Sequence, residues 1–243
     1  MDHRPAGKTA SASSLEPTGP IGMASEETGP GRSADPPTSR PVLGAPGAQL
    51  VIISGPSGVG KDTVIAALRR LRPADHVHYV VTCTTRPRRA GEVEGVSYHF
   101  LAPEEFAALR DRGELLEWAE VHGHWYGTPR AEVARALAAG KDVILKIDVQ
   151  GAATVKDRVP DALLIFLVPP SLEELFARLV ARATESADEL EVRQRNAALE
   201  LARQGEYDYI VVNETGQVER TARRIAEIIT VEKRKHPTRR IAL

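Results

Sequence analysis

The sequence predicts an α/β fold, a mostly parallel sheet covered by helices on both faces, and three observations carry that expectation. From residue 50 onward, short β-branched runs alternate with longer stretches of helical period. Those runs are apolar throughout rather than every second residue, as in strands buried on both faces. Strands alternating with helices imply right-handed crossovers between parallel neighbours. The chain's 243 residues suit one large domain, and its 42% apolar content supplies a sizeable core.

Each element has its own warrant. Residues 1–47 hold eight Pro, seven Gly and no aromatic, with Leu15, Ile21, Val42 and Leu43 as the large aliphatics. So little apolar surface cannot offset the entropy of ordering, so this tail is expected to be disordered, with Gln49 or Leu50 the first folded residue. Leu50 to Ser54 (LVIIS) reads as the first strand, followed by a glycine-rich turn and a helix carrying Val64, Ile65, Leu68 and Leu71 that Pro73 ends. Val77 to Thr82, Asp142 to Ile147, Leu163 to Val168 and Tyr209 to Val212 read as the further strands. Helical patterns lie at 129–139, 171–182, 188–204 and 216–235, and Ser171-Leu172-Glu173-Glu174 is a capping-box sequence marking one start. An insert at about 84–128, with short strands of its own and a helix at 103–112, interrupts the alternation. The domain is expected to span 48–235, with 236–243 a flexible C-terminal tail.

Composition excludes several classes of function. Lys plus Arg total 32 against 33 Asp plus Glu, which weighs against a nucleic-acid partner held by bulk charge. No apolar run approaches the roughly 18–20 residues a membrane helix needs. The opening Met-Asp-His-Arg-Pro lacks the apolar stretch of a secretory signal. One cysteine, Cys83, excludes an intrachain disulfide and a clustered thiolate metal site, and it reads as a small buried residue. A soluble cytoplasmic protein with neither nucleic acid nor membrane as partner is the expectation.

The strongest local signal is Gly55-Pro56-Ser57-Gly58-Val59-Gly60-Lys61-Asp62. It matches G-x4-G-K and stands after a buried strand and before a helix, the context the motif requires. Glycines let backbone N–H groups converge on a phosphate, and the helix N-terminus adds partial positive charge. Lys61 would lie along the β- and γ-phosphates. Asp62 stands where Ser or Thr normally offers a hydroxyl to magnesium, and Thr63 is one residue out of register. The loop implies a nucleoside triphosphate and is silent on what accepts the phosphoryl; without a ligand it is simply a glycine-rich turn.

The insert carries Thr82, Arg86, Arg89, Tyr98, Glu117, Tyr126 and Thr128. Two guanidiniums and two phenols suit the gripping of a second phosphate. Glu117 lies among apolar neighbours in Leu115-Leu116-Glu117-Trp118-Ala119. A carboxylate there can accept from N1–H and the 2-amino group of guanine; adenine offers neither donor. The Thr82 and Thr128 hydroxyls could donate to O6. The same residues also read as a solvated basic turn (Arg86, Arg88, Arg89) with packing tyrosines, and residue type alone leaves both readings open.

Residues 50–235 nevertheless resemble the guanylate kinase family over the length of its fold. The matching stretches are Gly55 to Lys61, Thr82-Cys83-Thr84-Thr85-Arg86, Gly91-Glu92-Val93-Glu94-Gly95-Val96-Ser97-Tyr98, Glu117-Trp118-Ala119, Tyr126-Gly127-Thr128, Ile147-Asp148-Val149-Gln150-Gly151 and Val211-Val212-Asn213. The resemblance implies a P-loop NTPase-type sheet with an inserted GMP-binding subdomain and a mobile lid at about 180–192. It implies transfer of the γ-phosphoryl of ATP to GMP (or dGMP) with Mg²⁺. On this likeness Thr82, Glu117 and Thr128 read the base, while Arg86, Arg89, Tyr98 and Tyr126 hold the GMP phosphate. Asp148 also falls on the GMP side, Arg178, Arg182 and Arg193 match lid arginines that neutralise the transferring phosphoryl, and Asn213 matches a residue near the adenine.

The chain also departs from the family's pattern. Arg86-Pro87-Arg88-Arg89 shifts a proline usually placed one residue later, and Ala181-Arg182-Ala183 replaces G-R-G in the lid, which favours helix there. Lys146 stands where the family usually has Asp, and Asp62 where it usually has Ser. Both fall near the carboxyl ends of predicted strands, so the two side chains are expected to approach and pair; the alternative is that Asp62 faces Mg²⁺ alone while Lys146 contacts solvent or Asp148. Two rivals are another small-phosphate kinase of this fold, such as a ribose bisphosphate kinase, and a non-catalytic guanylate-kinase-like module binding phosphopeptides. Glu117 with Thr82 and Thr128 speaks against the first, and the intact Gly55, Gly60 and Lys61 against the second.

Overall fold

A computed structural model describes residues 44–72, 76–121, 123–182 and 187–243, the side chains of 181–182, 187–190 and 193 excepted. Five strands form one parallel sheet: β1 (Leu50–Ser54), β2 (Val77–Tyr79), β7 (Asp142–Lys146), β8 (Leu163–Val168) and β9 (Tyr209–Val212). Their spatial order is β2-β7-β1-β8-β9, so β1 lies centrally and the chain crosses over it between neighbours. A second sheet, β4-β3-β6-β5, comes from the insert: β3 (Cys83–Thr84), β4 (His99–Phe100), β5 (Leu115–Val121) and β6 (His124–Pro129).

Continuous apolar runs make the central strands because both faces are covered. Val51 and Ile53 of β1 pack with Val64 and Leu68 of α1 (Lys61–Leu71), Leu175 of α5 (Leu172–Arg182) and Ile225 and Ile229 of α7 (Val218–Lys235). Leu50 and Ile52, pointing the opposite way, pack with Val133 and Leu137 of α3 (Arg130–Ala138) and Val155 of α4 (Val149–Arg158). Phe106 of α2 (Pro103–Asp111) joins Cys83 and Leu115 in a separate small core under the insert. Burial pushes the Cys83 thiol up to about 12, as befits a packing residue. The remaining helix, α6, covers Ala187–Ala202. Among the described residues no helix is long and apolar enough to cross a membrane.

The structure corrects four expectations. The second strand ends at Tyr79 rather than Thr82: after Val80 N–H reaches Ile144 O at 3.1 Å, the chain leaves the main sheet and enters the insert's. The helix α4 lacked a sequence warrant because it is short and carries Gly151 in its first turn. The fold begins before Gln49, with Gly44 N–H donating to Ile241 O at 2.8 Å and Gly47 N–H to Arg239 O at 2.9 Å. Residues 236–243 are therefore no loose tail; Ile241 is fully buried in the core beside Leu50 and Leu137. The disorder expected for 1–47 otherwise falls on 1–43, outside the described residues.

Candidate active site

The site is assembled at the carboxyl ends of the parallel strands, where helix N-termini and loops converge. From Ser54, at the end of β1, the chain turns through Gly55 to Gly60 into α1. Gly55 has φ +143° and a Cβ there would stand 2.4 Å from Leu167 O, so only glycine lets the loop lie against β8. Gly60 has φ +98°, and its Cβ would meet Asn213 Nδ2 at 2.7 Å. Lys61 Nζ donates to Gly55 O at 2.5 Å and Pro56 O at 3.1 Å, folding over its own loop. Burial lowers the Lys61 ammonium's pKa, while Glu200, Asp62 and Asp148 oppose that. Glu200 of α6 accepts the Ser57 N–H at 2.8 Å, placing a carboxylate on an amide that is free to bind an anion.

A hairpin of β5 and β6 sets Glu117 directly opposite Thr128. Thr128 Oγ1 donates to Glu117 Oε1 at 2.5 Å, and both residues are buried. Burial, with the charge of Asp148 adding to it, raises the Glu117 carboxyl to about 8; the Thr128 hydrogen bond and Arg158 pull it back in part. Thr128 thus holds the acid in place. Gly151, one turn into α4, brings that helix against the acid, where a Cβ would lie 2.7 Å from Glu117 Oε2. Asp148 caps the same helix, accepting from the N–H groups of Gln150 at 2.7 Å and Gly151 at 3.1 Å.

One cleft is lined by Gly55, Ser57 and Lys61 of the loop together with Thr82, Arg89, Tyr98, Glu117, Tyr126 and Asp148 of the insert side. Candidates from both halves of the sequence therefore meet. Tyr98 and Tyr126 stand edge to face, ring centroids 5.9 Å apart. Arg86 lies behind Tyr98, its guanidinium 5.6 Å from the ring centroid, and donates to Glu92 Oε1 and to Pro87 O, each at 2.7 Å. Glu92 also accepts the Arg89 N–H at 2.8 Å, so one carboxylate ties the turn that carries both arginines.

On the loop's other side, Gly58, Gly60, Thr63, Arg178 and Asn213 line a further cleft. Asn213 Nδ2 donates to Val59 O at 2.7 Å, and among the described residues its Oδ1 has no hydrogen-bond partner. Arg178 donates to Val59 O (3.2 Å), Asn213 O (3.2 Å), Glu174 Oε1 (2.7 Å) and Thr215 Oγ1 (2.7 Å). It braces the loop through these contacts. The Arg182 and Arg193 side chains, and residues 183–186 of the lid span at 180–192, lie outside the described residues; α5 runs through Arg182.

The two departures at 62 and 146 meet. Lys146, the last residue of β7, donates to Asp62 Oδ1 at 2.5 Å across 84 positions of sequence. Sequence reasoning named neither Glu200 nor Glu92 as a site residue. Glu200 sits in the last turn of α6 with no local motif, whereas Glu92, three residues after Arg89, has a spacing that suggests a partner.

Comparison with known proteins agrees with this geometry. The family model described as guanylate kinase matches residues 47–232. A guanylate kinase of Thermobifida fusca is 51% identical over 165 residues, 68% of this chain and 83% of its own length. One from Mycobacterium bovis is 48% identical over 179 residues, covering 73% of this chain and 85% of that protein. A rice protein named guanylate kinase 2, chloroplastic/mitochondrial, is 43% identical over 199 residues, 82% of this chain and 69% of its own. In three dimensions the crystal structure of guanylate kinase from Anaplasma phagocytophilum superposes with TM-score 0.63 at 33% identity, covering 79% of this chain and 88% of that one. With the family model matching most of the chain and relatives 43–51% identical over most of its length, the chain belongs to the guanylate kinase family.

Proposed function

We infer that this protein is an ATP:GMP phosphotransferase, a guanylate kinase, and that its cleft holds the two nucleotides with phosphates facing each other. One observation carries the reading: Glu117, buried and held by Thr128, shares a cleft with Lys61 and the phosphate loop. ATP phosphates would take the loop's N–H groups and Lys61, displacing Glu200 from Ser57, while the adenine lies toward Asn213 with its vacant Oδ1 acceptor. GMP would place guanine N1–H and the 2-amino group on Glu117, with Thr82 near O6 and Asp148 beside the nucleoside. Its phosphate would sit among Arg89, Tyr98 and Tyr126, with Arg86 held behind them by Glu92.

Transfer needs no protein nucleophile; a GMP phosphate oxygen attacks the γ-phosphorus in line, and the protein's contribution is positioning and charge. Lys61 moves from its own loop carbonyls to the phosphates, and Arg182 and Arg193 join it in this reading, with Arg178 keeping the loop in shape. Mg²⁺ takes hard oxygen ligands, commonly one or two carboxylates plus substrate phosphates. Asp62, a carboxylate in the first turn after Lys61 with its side chain 75% exposed, fits that demand and is the residue that would hold the ion. Bound there, Mg²⁺ would neutralise charge on the β- and γ-phosphates. The cytoplasm, where both nucleotides are held, is the setting this reading expects.

A coupled assay with ATP and GMP, dGMP, AMP, UMP and ribose bisphosphate tests it. Turnover with GMP and dGMP, and AMP poorer by at least about 10³-fold, is the expected result. Preference for the ribose bisphosphate, or no turnover at all, would overturn it in favour of one or other rival.

A further inference from the structure

Lys146 stands between the two halves of the cleft. Besides Asp62, its ammonium donates to the phenol oxygen of Tyr98 at 3.2 Å and lies 4.6 Å from that ring's centroid. Its side chain is 18% exposed and borders both the cleft holding Lys61 and Glu117 and a second one, of about 480 Å³, lined by Asp62 and Tyr98. Strand pairing explains the position: Lys146 is in register with Ile53 of β1, so it lies level with the root of the phosphate loop. Tyr98 reaches the same point from the insert. One cation is thus shared by a carboxylate of the triphosphate side and a phenol of the monophosphate side.

We propose that Lys146 is a positioning residue coupling the two substrate sites: it masks the Asp62 carboxylate from incoming phosphate and turns the Tyr98 hydroxyl into a donor toward the GMP phosphate. The masking follows from charge. A carboxylate at 62 that lacks the Lys146 cation would repel both nucleotides' phosphates, most strongly at low salt because its side chain is 75% exposed. The donor role follows from hydrogen-bond inventory. A phenol oxygen that accepts from an ammonium cannot pass its own proton back to it, so that proton is free for a phosphate oxygen, and the bond it makes there is strengthened. A carboxylate at 146 would do the opposite and take the phenol's proton for itself. When Asp62 turns to a cation arriving with ATP, the Lys146 charge is released toward Tyr98 and the GMP phosphate, so ATP tightens GMP and, by linkage, GMP tightens ATP.

This rests on the cleft being the GMP site, and the test separates the two. GMP and guanosine are titrated calorimetrically into metal-free, ATP-free protein, as wild type and as the Lys146→Met, Asp62→Ser and Lys146→Met/Asp62→Ser variants. Lys146→Arg and Tyr98→Phe serve as companions. Lys146→Met should weaken GMP by about 30-fold or more, as a charge-assisted contact is lost and Asp62 is unmasked, and leave guanosine within about twofold. Adding Asp62→Ser should restore about tenfold of that loss, whereas Asp62→Ser alone, which frees the Lys146 charge for Tyr98 and the phosphate, should tighten GMP by only about threefold. Tyr98→Phe should make GMP affinity less sensitive to Lys146→Met, and Lys146→Arg should retain most of it. Additive single effects, or an equal loss for guanosine, would overturn the coupling. Wild-type protein that binds neither GMP nor guanosine would overturn the functional reading beneath it instead.

Discussion

Glu117 is an acid whose burial opposes the state its ligand needs. Its carboxyl titrates at about 8, chiefly through burial, yet guanine offers two donors that want the carboxylate. Below that pH the empty site holds a protonated acid, and taking up guanine expels the proton. The sign is then fixed: GMP affinity rises with pH until the free acid ionises near 8, and levels off above. Between pH 7 and 8 the gain should be about fivefold, a window above the second ionisation of the GMP phosphate itself. Binding enthalpies measured at pH 7 in two buffers of different ionisation heat should reveal nearly one proton released per GMP. Glu117→Ala should abolish that release and lower kcat/KM for GMP by about 10²-fold, with AMP still a poor acceptor, because the pocket is emptied rather than rebuilt. Unchanged proton release in that variant would remove Glu117 from the base site.

Among the elements, α4 most directly couples the fold to the site. Its cap, Asp148, lines the cleft, and its first turn passes so close to β5 that only a glycine fits at 151. Gly151 has ordinary helical geometry, so alanine there should be neutral or slightly favourable for the helix itself, by up to about 1 kcal/mol. The added Cβ would instead collide with Glu117 Oε2 at 2.7 Å and push the carboxyl off its Thr128 partner. Gly151→Ala is therefore expected to raise KM for GMP about tenfold while leaving KM for ATP and the melting temperature nearly unchanged. Equal rises in both KM values would show that α4 supports the whole cleft rather than the base acid.

Across the whole molecule, the two ends of the described fold clasp each other. Gly44 and Gly47 donate to the backbone of Ile241 and Arg239, and Ala45 N–H reaches Leu137 O at 2.9 Å. Ile241 and Leu243 close the apolar core beneath α3 and α4. Beginning the chain at Ala48 removes these three backbone hydrogen bonds to the rest of the fold, as well as the local one from Ala48 to Ala45, and exposes that edge, at about 1 kcal/mol per bond to the rest of the fold. For a domain of this size the melting temperature should fall by several degrees, roughly 5–10 °C. A chain beginning at Gly44 keeps every one of those contacts and should melt with the full-length protein. Equal melting for both would show the clasp to be energetically idle; kcat should change in neither, since the clasp lies away from the cleft.

What the sequence determined by itself is what depends on near neighbours along the chain. Continuous apolar runs marked β1, β7 and β8 because strands covered on both faces carry no alternation to disguise them. By contrast β9, an edge strand with Ile210 and Val212 half exposed, showed by its β-branched residues. The phosphate loop was legible because its glycines, lysine and following helix form one contiguous unit, and Glu117 stood out as an acid within an apolar strand. The helix α4 escaped notice although Asp148 is a cap and Val149, Ala152 and Val155 keep its period, because glycine in the first turn obscures so short a pattern. The paired departures at 62 and 146, each near the carboxyl end of a strand, already predicted that Asp62 and Lys146 would approach; the other partners were decided by tertiary structure alone. Strand order places β7 beside β1, and with it Lys146 beside Asp62, 84 residues earlier. Glu200 reaches Ser57 over 143 positions, Arg178 closes on Val59 over 119, and Gly44 meets Ile241 at the far end of the chain. Periodicity and propensity act within a few turns of backbone, whereas side-chain charge and hydrogen bonding are settled by whichever groups the finished packing brings within about 3 Å.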